Sequence, residues 1–383
     1  VRATRALIER TGYTEPVVDY ALDALFGAID AETIASTIAG ELGSLAALDG
    51  FVTRPGRARV RYAGLARAAI VSSDTTIGVA LPALVFALCA GCRVIVKDRS
   101  DRLIGAFAET LGEERPELAA RIEAFPWNGA DEAASRAHLG AADVVVAYGG
   151  DETLLAIRTL LRADARFVAF GHRTSVGYVT REALASDASA REAAFGAARD
   201  ALLYDGDGCL SLHALFVERG ATLDLRAFGR ILADAFERTA VEFPAGYAQL
   251  DAPAAAYRRA ALFRAAQGAG EVAAGVVAPH LIVIDPPRDE PPPFLRRTVA
   301  VYGVDGPDDT LWFLRRHALP LEAVAFDALA FDAVTARADL DSFALACGAT
   351  RIATLGDLQR PPLGGEHGGT GRILPFVRAI YRG

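Results

Sequence analysis

The residues best placed to do chemistry lie in Leu203-Tyr204-Asp205-Gly206-Asp207-Gly208-Cys209-Leu210-Ser211-Leu212-His213-Ala214-Leu215-Phe216-Val217-Glu218-Arg219-Gly220. Gly206 and Gly208 permit a tight backbone approach, after which Leu212, Leu215 and Phe216 recur at helical spacing up to Gly220. The pattern predicts a helix opening at Cys209. Free amides and the positive end of the helix dipole would stabilise a thiolate there and make the sulfur a nucleophile at neutral pH. Asp205 and Asp207 act against it, because nearby carboxylates disfavour a second negative charge. The same placement equally suits an inert cysteine buried in an apolar helix.

The elements that must position this thiol follow an α/β rhythm from residue 67 onward. Ala68-Ala69-Ile70-Val71 reads as a short buried strand, Ser72 to Thr76 as a polar loop, Gly78 to Ala90 as a helix and Arg93-Val94-Ile95-Val96-Lys97 as the next strand. That order is one crossover unit of a parallel sheet, and it places Lys97 at a strand's carboxyl end, where open sheets bind ligands. Lys97 is also the only lysine among 40 basic residues. Ala142 to Tyr148 repeats the logic, a buried strand ending in Gly149-Gly150 that opens a helix. Free amides at such a turn can accept a phosphate, although Asp151 and Glu152 also read as ordinary first-turn charges.

Further helices are predicted at 17–26, 33–48, 101–111, 116–124, 223–239, 252–267, 308–316 and 340–347. Strands are predicted at 57–62, 166–172, 278–284, 297–302, 324–326 and 351–355. A proline-rich loop runs from Asp285 to Pro293, and a glycine-rich tail from Gly364 to Gly369 contains His367.

A chain of 383 residues exceeds one ordinary core, so two domains are expected. Its 52% hydrophobic content describes a well-buried globular protein, and its net charge of −8 argues against nucleic acid as a partner. Cys89 and Cys92 form a Cys-x-x-Cys pair without a second pair or histidine companions, so they read as small core residues and no metal site is expected. The longest apolar run, Gly78 to Cys92, contains Pro82 and is too short to span a bilayer. No basic and apolar leader is present, which makes a reducing cytoplasm the expected compartment.

Four blocks, in order and spacing, resemble the LuxC-type acyl-CoA reductases of the aldehyde dehydrogenase superfamily. They are Ala80-Leu81-Pro82-Ala83-Leu84 leading to Val94-Ile95-Val96-Lys97, then Ala147 to Thr153, then Phe170-Gly171-His172-Arg173, and Asp205 to Ser211. The resemblance implies an α/β fold with a Rossmann-type cofactor domain over 1–204 and a catalytic α/β domain over 205–383. It makes Cys209 the nucleophile and sets Lys97 against the adenosine ribose of a nicotinamide cofactor. Ser72, Ser100, Gly149 and Gly150 complete the expected cofactor-binding set. Superfamily members selective for NAD often place a glutamate where this chain has Ser100, beside Arg99, which favours NADPH with NADH as the alternative.

Hydrolytic aldehyde dehydrogenases carry a water-activating glutamate where this chain has Ala169. A thioester on Cys209 without a positioned base reacts slowly with water, so the implied chemistry is acyl transfer from acyl-CoA followed by reduction to an aldehyde. His172 and His213 are candidate proton donors to CoA or the thiohemiacetal, each equally readable as a histidine with a structural hydrogen bond, and His367 in the glycine-rich tail is a further candidate. The oxyanion-binding asparagine of the superfamily is replaced by Asp74, Thr75 and Thr76. The resemblance further implies a homo-oligomer associating through an exposed strand, with the pair around the proline-rich loop as candidate, and a partner that transfers or ligates the acyl group. An acid-forming dehydrogenase and a non-catalytic scaffold of an acyl-processing complex are the competing readings.

Overall fold

A computed structural model describes residues 2–53, 59–73, 75–98, 102–275, 278–331 and 337–382. They fall into two compact units, residues 1–172 with 362–383, and residues 173–361. The division comes at His172/Arg173 rather than at 204/205, and the C-terminal segment belongs to the first unit.

The first unit's strands are β1 (Val52–Thr53), β2 (Arg59–Gly64), β3 (Arg67–Val71), β4 (Arg93–Lys97), β5 (Ile122–Phe125), β6 (Val144–Tyr148) and β7 (Arg166–Phe170). Five of them form a parallel sheet in the order β5-β4-β3-β6-β7. The chain therefore grows outward from β3 in one direction and then from β6 in the other. Ligands of open α/β sheets bind at the carboxyl edge of such a reversal. Strands covered on both faces must be apolar throughout, and every residue of β6 is buried. Ile70, Val94, Val96, Val144 and Val146 pack with the helix Leu81–Cys89 on one side, while Ala69, Val71, Val145 and Ala147 pack with Leu154, Ile157 and Leu160 on the other.

Two helices are shorter than their sequence patterns predict. The helix Ala31–Leu42 stops where Gly43 adopts a left-handed φ of 79°. The helix Pro116–Ala119 gives way to β5, because pairing of Ile122 with Val94 at the sheet edge overrides the helical preference of Glu123 and Ala124.

The second unit holds β8 (Thr174–Val179), β9 (Leu212–Glu218), β10 (Glu271–Ala274), β11 (Leu281–Ile284), β12 (Thr298–Val304), β13 (Leu321–Phe326) and β14 (Arg351–Thr354). Their order is β10-β11-β12-β9-β8-β13-β14, parallel except for the antiparallel edge strand β10. Phe228, Leu232 and Phe236 of the helix Leu225–Glu242, with the alanine-rich helix Asp187–Leu202, cover one face, and Phe313, Leu340 and Phe343 cover the other.

Residues 212–218 are thus a strand and not the expected helix. Leu212, Leu215 and Phe216 satisfy a helical period, but the whole run from Leu212 to Glu218 is buried, as the centre of a parallel sheet requires. An extra residue at His213, where Ser175 pairs with Leu212 and Val176 with Ala214, breaks strict alternation and disguised the strand. The strands around the proline-rich loop are corrected as well. β11 and β12 are buried and β12 lies between β11 and β9, so neither is an exposed strand available for association.

The chain ends in β15 (Val377–Arg382), which pairs antiparallel with β2 in a three-stranded sheet, β1-β2-β15. Ile373, Phe376 and Val377 join the first unit's core. Glu41 fixes this return by accepting the amides of Ile373 and Leu374 at 3.0 Å each. Among the described residues no helix is long and apolar enough to cross a membrane.

Candidate active site

In the first unit, the expected ligand-binding residues gather at the carboxyl edge of the five-stranded sheet. Val71 at the end of β3 pairs with Lys97 at the end of β4, and the Ser72 amide donates to the Lys97 carbonyl at 3.2 Å. Half-buried Lys97 directs its ammonium over Gly129, where an added Cβ would lie 3.4 Å from Nζ. Across the β3/β6 reversal, the Gly149 amide donates to the Phe170 carbonyl, and Gly150 caps the helix Asp151–Leu160. Nothing lies within 4 Å of a Cβ built on Gly150, so a ligand can approach its backbone. Asp151 and Glu152 occupy that helix's first turn, and the Asp151 carboxylate leans over Gly171. Ser100, Arg99 and Asp74 lie outside the described residues.

In the second unit, Cys209 sits on a turn between the helix Asp187–Leu202 and β9. Tyr204 and Asp205 both take left-handed backbone angles, φ 52° and 53°, and Gly206 follows at 78°. Such angles cost a non-glycine residue about 1–3 kcal/mol, so the surroundings must hold them. Arg297, fully buried, supplies that hold. Its amide donates to the Asp205 carbonyl at 3.0 Å, its Nη1 to Asp205 Oδ1 at 2.9 Å, and both terminal nitrogens to the Phe243 carbonyl at 3.2 Å. Arg296 pairs with Asp207 at 2.7 Å.

Beyond the thiol, the Ser175 hydroxyl donates to the Cys209 carbonyl at 2.9 Å. Ser211 accepts the Gly208 amide at 3.2 Å and a bond from Gln359 Nε2 at 3.0 Å. The sulfur is therefore offered from a turn clamped on both sides.

The expected helix N-terminus is absent, and so is its effect. Cys209 is partly exposed as a residue, yet burial around its sulfur, reinforced by the negative charge of Glu322, pushes the thiol up to about 11. The Cys209 and Leu210 amides and the Arg173 guanidinium act in the other direction. The resting group is a neutral thiol.

Glu322 is a site residue that the sequence reading missed. It lies at the start of β13, with β8 between it and β9, since Ser175 pairs with both Leu212 and Ala323. Its carboxylate is buried, accepts the Thr350 hydroxyl at 3.1 Å and stands 3.8 Å from Arg173 Nε. Removing its charge lowers the thiol's pKa. Glu322→Gln is expected to speed iodoacetamide labelling of Cys209 at pH 8 by up to about tenfold, one pKa unit's worth, and Arg173→Gln to slow it. Equal labelling rates in the three chains would sever Glu322 from the sulfur.

The histidines separate. His172 is exposed at the end of the first unit's continuous segment. His213 is buried on β9, edge-on to Phe294 at 5.6 Å, in a strand and not in a helix. His367 stacks on Phe170 with ring centres 4.0 Å apart, in the first unit. Cys92 is a core residue as expected, its thiol pushed up to about 11 by burial, whereas Cys89 reaches the surface at its helix end and is not core.

The acyl-CoA reductase (LuxC) family profile matches residues 1–379. The chain belongs to this acyl-CoA reductase family. Its activity class is accordingly oxidoreduction, as a LuxC-type enzyme.

Solved structures with the same fold include an oxidoreductase from Marinobacter aquaeolei, 15% identical with a TM-score of 0.70, matched over 99% of this chain and 81% of that one. A NAD-dependent benzaldehyde dehydrogenase from Corynebacterium glutamicum is 15% identical with a TM-score of 0.65, over 100% and 82%. A glyceraldehyde-3-phosphate dehydrogenase from Methanocaldococcus jannaschii, complexed with NADP, is 9% identical with a TM-score of 0.68, over 99% and 84%. At these identities the likeness speaks for the aldehyde dehydrogenase fold alone. Among curated proteins no sequence match is found. In this LuxC-family chain Ala169 is exposed near the end of β7, so no carboxylate arises from that position.

Proposed function

We propose that this LuxC-type reductase converts an acyl-CoA thioester to an aldehyde with NADPH, through a thioester on Cys209. The observation that carries the reading is a half-buried Cys209 held on a clamped turn of the second unit; the alanine that the sequence has at 169, where hydrolytic relatives carry the water-activating glutamate, supports it independently. Cys209 attacks the acyl carbonyl, its sulfur–carbon bond forms and the bond to CoA breaks. The thiol proton balances the departing CoA thiolate, so neutral thiol gives neutral thiol. That economy suits a sulfur whose own ionisation is unfavourable.

A nicotinamide cofactor, when bound, would supply hydride to the acyl carbon; the carbon–sulfur bond to Cys209 then breaks, the aldehyde leaves and a proton restores the thiol. Lys97, Ser72, Gly149 and Gly150 are the described residues proposed to hold it. The open backbone at Gly150 and the lone ammonium over Gly129 fit such a ligand at the carboxyl edge of a reversing sheet. Ser100 completes the proposed set from the sequence resemblance, and His172 is proposed to return a proton to the product side. The fatty acyl group would come from a carrier or a ligase partner.

Glu322 favours a second reading. A buried carboxylate within electrostatic reach of the sulfur is what an acid-forming dehydrogenase needs to activate water. One experiment separates the two. Purified chain is given acyl-CoA thioesters of increasing length with NADPH or NADH, following loss of nicotinamide absorbance, and in parallel octanal with NADP⁺ in the absence of CoA. Oxidation of NADPH with aldehyde release supports the reductase. Free octanoic acid formed without CoA overturns it in favour of the dehydrogenase.

A further inference from the structure

The edge of the five-stranded sheet opposite the expected cofactor site carries three arginines in register. Arg67 opens β3 and Arg93 opens β4, and the two are direct cross-strand partners. Arg121 stands just before β5, its carbonyl bonded to the Val94 amide. Adjacent strands are about 4.8 Å apart, so three guanidinium groups are rooted side by side on neighbouring strands.

Like charges at that spacing repel unless something negative lies among them. Among the described residues neither Arg67 nor Arg93 has an ion-pair partner. Arg121 uses one terminal nitrogen on the Gly91 carbonyl at 2.6 Å, which fixes its head and leaves its remaining donors for a ligand.

Neighbouring charges at this edge are already committed. Asp143 accepts the amides of Ala66 and Arg67 at 3.1 and 3.0 Å and pairs with Arg162 at 3.0 Å. Arg166, which opens β7, donates to the carbonyls of Leu374, Pro375 and Val377. The contrast marks the 67–93–121 row as a stretch of positive charge without an ion pair among the described residues, in a chain whose net charge is −8.

The row also lines a concavity. Ala66, Arg67, Gly91, Arg93, Glu117 and Arg121 border a depression of about 510 Å³, within the range of small-molecule sites. Glu117, on its rim, is exposed and lies 3.8 Å from Arg115. We propose that this depression binds a small ligand bearing a diphosphate or two neighbouring phosphates, laid along Arg67, Arg93 and Arg121. Planar guanidinium forks match phosphoryl oxygens two at a time, which a row of lysines would not do. The depression is at the amino ends of β3, β4 and β5, the edge opposite the one that carries Lys97, so the proposal holds whatever reaction the chain performs.

The test is calorimetric titration at low salt of the full chain with pyrophosphate, adenosine 3′,5′-bisphosphate and, as a carboxylate control, citrate, alongside the thermal midpoint. Native chain is expected to bind one equivalent of a phosphate probe. Arg93→Gln should weaken that binding about tenfold, the loss of one charge-assisted contact. Arg136→Gln, which removes the same charge from a helix elsewhere, should leave it unchanged.

Tighter binding of the bisphosphate than of pyrophosphate identifies a nucleotide ligand, and the reverse identifies a free diphosphate. A native thermal midpoint for Arg93→Gln without ligand establishes that the variant is folded. Equal affinity in the native and Arg93→Gln chains, no binding of any phosphate probe, or preference for citrate or for an acidic peptide that pyrophosphate does not displace would each overturn the proposal.

Discussion

Cys209→Ala is expected to slow aldehyde formation from acyl-CoA by on the order of 10⁴-fold or more, because a covalent route loses its bond-forming atom and not merely an assisting group. Cofactor affinity should be unchanged. Intact-mass measurement of native chain mixed with acyl-CoA and no nicotinamide should show one added acyl group, removable by hydroxylamine, and the alanine chain should show none. A stable acyl adduct on the alanine chain would move the nucleophile elsewhere and end the role proposed for this sulfur. Serine at 209 is expected to fare little better, since a hydroxyl in the same buried turn is harder still to deprotonate.

The second large effect concerns the clamp beneath that turn. Arg297→Ala is expected to destabilise the chain by about 3–5 kcal/mol, the usual consequence of leaving one partner of a buried ion pair alone. Asp205 would keep a carboxylate whose burial already raises its pKa, and the Phe243 carbonyl would lose two donors. The double change Arg297→Met with Asp205→Asn should recover much of the loss, because it removes the unpaired charge. Urea unfolding of the native chain and the two variants measures both effects. If Arg297→Ala unfolds at the native midpoint, the pair is not what holds Tyr204 and Asp205 at positive φ.

Much of this architecture was legible from local pattern. Continuous apolar runs at 68–71, 94–96 and 144–148 announced parallel strands, and the glycine pair at 149–150 announced a helix entry, because those signals depend on neighbours in sequence. What failed depended on neighbours in space. The run after Cys209 satisfies a helical period, and only its insertion between β8 and β12, where every residue is buried, makes it a strand. With the helix went the argument for an acidified thiol. Glu322 was invisible because its distance from Cys209 is set by β8 lying between two strands far apart in sequence. The arginine row was hidden for the same reason, one residue per strand with nothing repeated along the chain.

The discontinuity of the first unit has a bearing on how the protein is made. Ile373, Phe376 and Val377 are core residues of a body whose other members lie between Ile38 and Tyr148, with Leu363 and the return to Glu41 closing it. On the ribosome this body must wait, its apolar faces unsealed, while the entire second unit emerges, and the second unit is then free to fold first. The order of synthesis and the order of completion are reversed, so a nascent chain stalled before residues 362–383 leaves the core of this body incomplete.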